Sequence, residues 1–125
     1  MKLNLMKHLF VILFIVCIPN LHADVPPEQR PEVEHLLEFV GQSDCIMVRN
    51  GEEHAGEKAV SHIQVKYDYF KEKITTTEEF IEYSATKSTM SGKYYTVRCP
   101  GQEEIRAQDW LMEELAKFRA KQAKN

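Results

Sequence analysis

The sequence predicts a small α+β domain in which about four helices pack around a two-stranded antiparallel sheet. Three patterns predict it. Apolar residues recur at helical spacing in four separate stretches. Two short β-forming runs, CIMVRNG and YYTVRC, stop at Asn50-Gly51 and Pro100-Gly101, and each run holds one cysteine, Cys45 or Cys99.

The first 23 residues stand apart from that domain. Lys2 and Lys7 precede an uncharged run from Leu9 to Ile18, and Pro19 and the small Ala23 follow. This is the order of charge, apolar run and cleavage region in a secretory signal. A membrane-spanning helix needs about 20 apolar residues, roughly twice this run, so cleavage after Ala23 is expected rather than a retained anchor. Residues 24–125 are then one domain of 102 residues, too few for two separate cores. Losing Lys2 and Lys7 moves the formal net charge from −3 to −5. An acidic surface argues against nonspecific nucleic-acid binding, which depends on neutralising phosphates. After cleavage only Cys45 and Cys99 remain, in an oxidising periplasmic or secreted setting, and an even count there predicts a structural disulfide. No Cys-x-x-Cys spacing marks a redox pair.

Along the mature chain, Val33, Leu36, Leu37 and Val40 give the first helix one apolar face, with Gly41 placed to end it. His35 lies beside that face as an edge residue. The two β-runs are about forty residues apart, so no tight hairpin joins them. If Cys45 lies opposite Cys99, antiparallel pairing sets Met47 against Val97 and Arg49 against Tyr95. Ala55, Ala59, Ile63, Tyr67, Phe70 and Ile74 form the stripe of a long second helix, reaching about Lys73. Its start is read from Asn50 as N-cap, with Glu53 three positions later and Glu52 in the favourable field of the helix N-terminus. Thr75 and Thr76 each stand three residues before a glutamate, the capping arrangement for a third helix with Phe80 and Ile81 on its apolar face. Trp110, Leu111, Leu115 and Phe118 face one way on the last helix, whose basic final turn suits its negative end.

Two stretches hold chemistry-bearing side chains. In RNGEEHAGEKAVSH, capping accounts for Asn50 to Glu53 but not for Arg49, His54 and His62. On one helix, eight steps of about 100° leave the two histidines about 80° apart, and the HExxH zinc pattern with histidines at i and i+4 is missing. A metal site would need a third ligand, with His35 or a carboxylate as the donors at hand, so neither metal nor cofactor is expected. In Ser88-Thr-Met-Ser91-Gly92-Lys93, the Ser-Lys hydrolase spacing fails because Met90 stands three before the lysine, and the phosphate-loop pattern lacks its first glycine. An exposed loop leading into Tyr94 and Tyr95 is instead the shape of a recognition tip.

Taken together, RNG at 49–51, His54, AVSH at 59–62, E-x-F-I at 78–81, S-x-x-S-G at 88–92 and Y-x-V at 95–97 resemble the YfeK-like family of small exported bacterial proteins. The resemblance covers nearly all of the mature chain. It implies a signal-bearing periplasmic domain, with the family's recurring positions falling on Arg49, Asn50, Gly51, His54, His62, Ser91 and Gly92, and it lends no catalytic role. The expected function is a non-enzymatic envelope module that binds a partner protein or small ligand through Arg49, His54, His62, Ser88, Ser91, Gly92, Lys93 and Tyr95. The alternative is a small periplasmic hydrolase or metal-dependent enzyme centred on His54, His62 and Ser91.

Overall fold

The computed structural model describes residues 24–125 and, apart from them, Ile15. The expected signal segment otherwise lies outside the described residues. Four helices form where the apolar stripes fall: α1 Arg30–Gln42, α2 Glu57–Phe70, α3 Thr77–Ala85 and α4 Ala107–Ala123. A 3-10 turn, Lys71–Lys73, extends α2. Val33, Leu36 and Val40 of α1, Ala59, Ile63 and Tyr67 of α2, Phe80 and Ile81 of α3, and Leu111 and Leu115 of α4 meet in one buried core. The third helix starts as its sequence demands: Thr76 is the N-cap, and its Oγ1 accepts the Glu79 N–H at 3.1 Å. His35 is indeed an edge residue, stacked on Phe118 and hydrogen-bonded to Glu114.

The sheet has four strands where two were expected: β1 Ile46–Arg49, β2 Glu52–Ala55, β3 Thr96–Arg98 and β4 Ile105–Arg106, antiparallel in the order β2-β1-β3-β4. The expected central register is present, with Met47 opposite Val97 and the Cys45–Cys99 disulfide one step beyond the Ile46–Arg98 pair. A cross-link closing a loop of this length stabilises by about 4 kcal/mol in the chain-entropy picture.

The junction after Arg49 differs from the sequence reading. Asn50 and Gly51 both have positive φ, 50° and 78°, and they form a two-residue hairpin turn from β1 into β2. Asn50 is therefore not a helix N-cap, which requires extended backbone at that residue. Two positive φ values give a turn whose twist matches the flanking strands, and Asn-Gly is the pair best suited to adopt them. Glu52 to Ala55 are pulled into strand pairing, and α2 begins only at Glu57. Ala55, expected on the helical stripe, is exposed on the edge strand. Gly41 does not end α1 either. It lies inside the helix, where an added Cβ would approach Val60 Cγ2 to 3.3 Å, so its use is close packing of α1 against α2.

Candidate functional site

Strand register brings the first part of the site together. Arg49 closes β1 one step beyond the Val48–Thr96 pair, which sets it beside Tyr95, and its Nε donates to Tyr95 Oη at 3.2 Å. The α2 helix crosses this end of the sheet and supplies His62 and, one turn later, Lys66. Arg49 Nη1 donates to His62 Nδ1 at 2.9 Å. Because a guanidinium has no acceptor, His62 Nδ1 accepts and its ring proton resides on Nε2. Lys66 Nζ donates to the Lys87 carbonyl at 2.6 Å and to Tyr95 Oη at 3.3 Å.

The hairpin turn supplies the second part. The side-chain amide of Asn50 donates to Ser88 Oγ at 3.1 Å, and its oxygen accepts from Ser91 Oγ at 2.6 Å. One side chain thus clamps the loop between α3 and β3 onto the turn. Within the loop, Gly92 N–H donates to the Ser88 carbonyl, Ser88 N–H to the Lys93 carbonyl and Lys93 N–H to Ser91 Oγ. Ser88 is buried, while Ser91, Gly92 and Lys93 are exposed. Gly92 has φ 72°, the left-handed conformation that lets so short a loop close. Lys87 and Tyr94 form a β-bridge at its base.

The two histidines meet, but not on one helix. His54 lies in β2 opposite Met47, on the inward side of the sheet, and its ring centroid is 4.2 Å from that of His62 in α2. The expected 80° separation around a helix therefore does not apply. Both His54 ring nitrogens are buried without a hydrogen-bond partner among the described residues, the nearest carboxylate being Glu52 at 3.8 Å from Nε2. Burial, and then the neighbouring His54 and Arg49, hold the His62 pKa below the ordinary 6.5. Among the described residues, no hydrogen bond joins Ser91 to either histidine, and no group of three or more His, Cys, Asp or Glu is arranged to hold a metal ion.

Sequence reasoning missed Lys66 as a member of this site and read Asn50, one of the family's recurring positions, as a helix cap rather than as the clamp on the loop. Lys66 lies off the buried stripe of α2, but its position four after His62 puts both on one side of the helix. That side also carries Val65 and Tyr69, apolar residues outside the core stripe, and this second stripe was the available signal. With Phe70 and Met90 they wall a groove of about 250 Å³ that has Arg49, Lys66 and Tyr95 at its polar end. A larger groove of about 460 Å³ lies beside the disulfide and is lined in part by Phe39 and Trp110, which pack against each other. Of the charged residues there, Lys117 pairs with Glu113 and Glu114 with His35, while Asp44 has no ion-pair partner among the described residues, so the unmatched charge in this groove is acidic.

Comparison with known proteins agrees with the resemblance read from the sequence. The chain is 33% identical over 86 residues to Uncharacterized protein YfeK of Salmonella typhimurium, an alignment covering 68% of this chain and 71% of that protein. No solved structure matches. Residues 27–119, which include every part of the site just described, match the family of unknown function DUF5329, and the chain belongs to that family.

Proposed function

We propose that the protein is an exported, non-enzymatic binding module whose working face is formed where the Asn50–Gly51 turn meets the loop Ser88–Lys93. The observation that carries the reading is the pair of hydrogen bonds at the Asn50 side chain, which donates to Ser88 and accepts from Ser91 and so fixes the exposed loop beside Arg49, Lys66 and Tyr95. A loop held in one shape loses little conformational entropy when a partner docks. The binding reading is favoured over a hydrolase centred on His54, His62 and Ser91 because Ser91 Oγ is committed to Asn50 and His62 Nδ1 to Arg49. Export is supported by the Cys45–Cys99 bond, which persists in oxidising compartments. Cleavage after Ala23 would make Asp24 the first residue of the mature chain.

The test is capture from envelope extract by the intact protein and by Ser91→Tyr, with thermal melts to show that both are folded. The bulky side chain breaks the bond to Asn50 and displaces the loop, so captured partners should drop out of the Ser91→Tyr sample. Equal capture of every partner by both proteins defeats the proposal.

A further inference from the structure

The polar end of the groove between α2 and the loop has more donors than acceptors. Tyr95 Oη accepts from both Arg49 Nε and Lys66 Nζ, which leaves its own O–H to donate elsewhere. Arg49 also spends Nη1 on His62, and Lys66 spends a second N–H on the Lys87 carbonyl. The Nη2 amine of Arg49, one N–H of Lys66 and the Tyr95 hydroxyl proton have no acceptor among the described residues. Nor, among the described residues, does a carboxylate form an ion pair with either cation, although both are held in place by hydrogen bonds. Glu52 is opposite Arg49 across the turn, yet its carboxylate lies near His54. Two cations and a hydroxyl converging without an anion form a receptor for one.

The walls say what the anion is attached to. Within residues 24–125 the three most exposed large apolar side chains are Met90 at 98%, Tyr69 at 80% and Val65 at 68%, and all three line this groove. Apolar surface concentrated beside a charged end marks a binding site more often than scattered exposure does. The groove is open and smaller than the enclosed pockets that swallow drug-sized ligands, so it suits the end of a chain. The free Nη2 amine of Arg49 and the Lys66 ammonium suit a carboxylate, and the apolar walls suit a side chain next to it.

On the reading of this face given above, we infer that the groove binds the free C-terminal carboxylate of a peptide chain whose last residue is large and apolar. The carboxylate meets Arg49, Lys66 and the Tyr95 hydroxyl, and the terminal side chain packs against Val65, Tyr69 and Met90.

Fluorescence anisotropy with fluorescein-labelled glycine-serine peptides ending in phenylalanine or leucine tests this, each made as the free acid and as the carboxamide. The free acids should bind on the order of ten-fold more tightly than the amides, with the preference weakening as salt rises. Lys66→Met should abolish the preference while leaving the thermal melt in place. Because Arg49→Met also removes the partner of His62, Met90→Asp serves as the second variant, expected to weaken both peptide forms. Equal or absent binding of acid and amide overturns the inference, as does tighter binding of inorganic phosphate than of either peptide. If the peptides fail while partner capture remains sensitive to Ser91→Tyr, the carboxylate assignment is wrong and the binding face stands. If capture is insensitive as well, both fall.

Discussion

Two clusters built around basic side chains, one around Arg119 and one around Arg49 and Lys66, have opposite relations to their surroundings. Arg119 of α4 reaches across to α1 and α3, holds Glu32 with two hydrogen bonds of 2.6 and 3.0 Å, and holds Glu78 with a third. Thr77 donates to Glu32 as well, so the cluster joins three helices. Hydrogen bonding to Arg119 keeps both carboxyl groups below the usual range. Arg49 and Lys66, by contrast, converge on a hydroxyl and have no carboxylate in ion-pair reach among the described residues. A charge matched within the fold serves the fold, and a charge left unmatched beside an exposed apolar groove is available to something outside it.

The largest expected effect breaks the seam that supports the second cluster. The disulfide holds the far end of the β1–β3 pairing that sets Arg49 beside Tyr95. Replacing Cys45 and Cys99 together by serine should lower unfolding free energy by about 4 kcal/mol, less whatever strain is relieved, in urea titrations. Unchanged stability would mean that the cross-link constrains nothing that strand pairing does not already hold.

A smaller loss should follow from the first cluster. Arg119→Ala removes charge-assisted hydrogen bonds to two carboxylates, but the arginine side chain is 44% exposed, so solvent screening reduces the effect. A loss of about 1–2 kcal/mol is expected at neutral pH. It should shrink under acid. Glu32 and Glu78 have folded-state pKa values below the ordinary 4.5, so their contribution is complete above 4.5 and disappears as pH falls through the lowered values. A penalty that stayed constant down to pH 2 would assign the arginine a packing role instead.

How far the sequence revealed these two clusters follows from what each depends on. The helical stripes, the Thr76 cap and the Met47–Val97 register were legible because burial and capping act over three or four residues, or over a strand's alternation. The hairpin was not, even though Asn50-Gly51 is a strong turn signal, because EEHA has poor strand propensity and looks like the acidic first turn of a helix. Turn geometry prevailed over local preference there, and it moved His54 from a helix to a strand. The two-residue β4 carries too little pattern to be read at all. Arg49, His54, His62, Ser88 and Ser91 were picked out as residue types, but Lys66 was absent because its importance arises only when α2 crosses the end of the sheet. The Arg119 cluster joins residues 87 apart in sequence, and no local spacing announces it.

The smallest expected effect lies inside the second cluster and asks whether His62 belongs to it as a neutral partner. His62 accepts from Arg49 through Nδ1, and protonating that nitrogen would turn the hydrogen bond into a repulsion between two cations. Because its folded-state pKa is lowered from 6.5, the folded protein binds fewer protons than the unfolded chain as pH drops below that value. Stability from this group is therefore complete above 6.5 and declines with falling pH until the lowered folded pKa is passed. Arg49, His54 and Lys58 oppose the proton, and Glu52 partly favours it. His62→Gln keeps an acceptor for Arg49 and cannot titrate. Between pH 7.5 and 5.5 the wild-type melting temperature should fall further than that of His62→Gln. Parallel profiles would remove His62 from the account and leave Tyr95 as the side chain that positions Arg49.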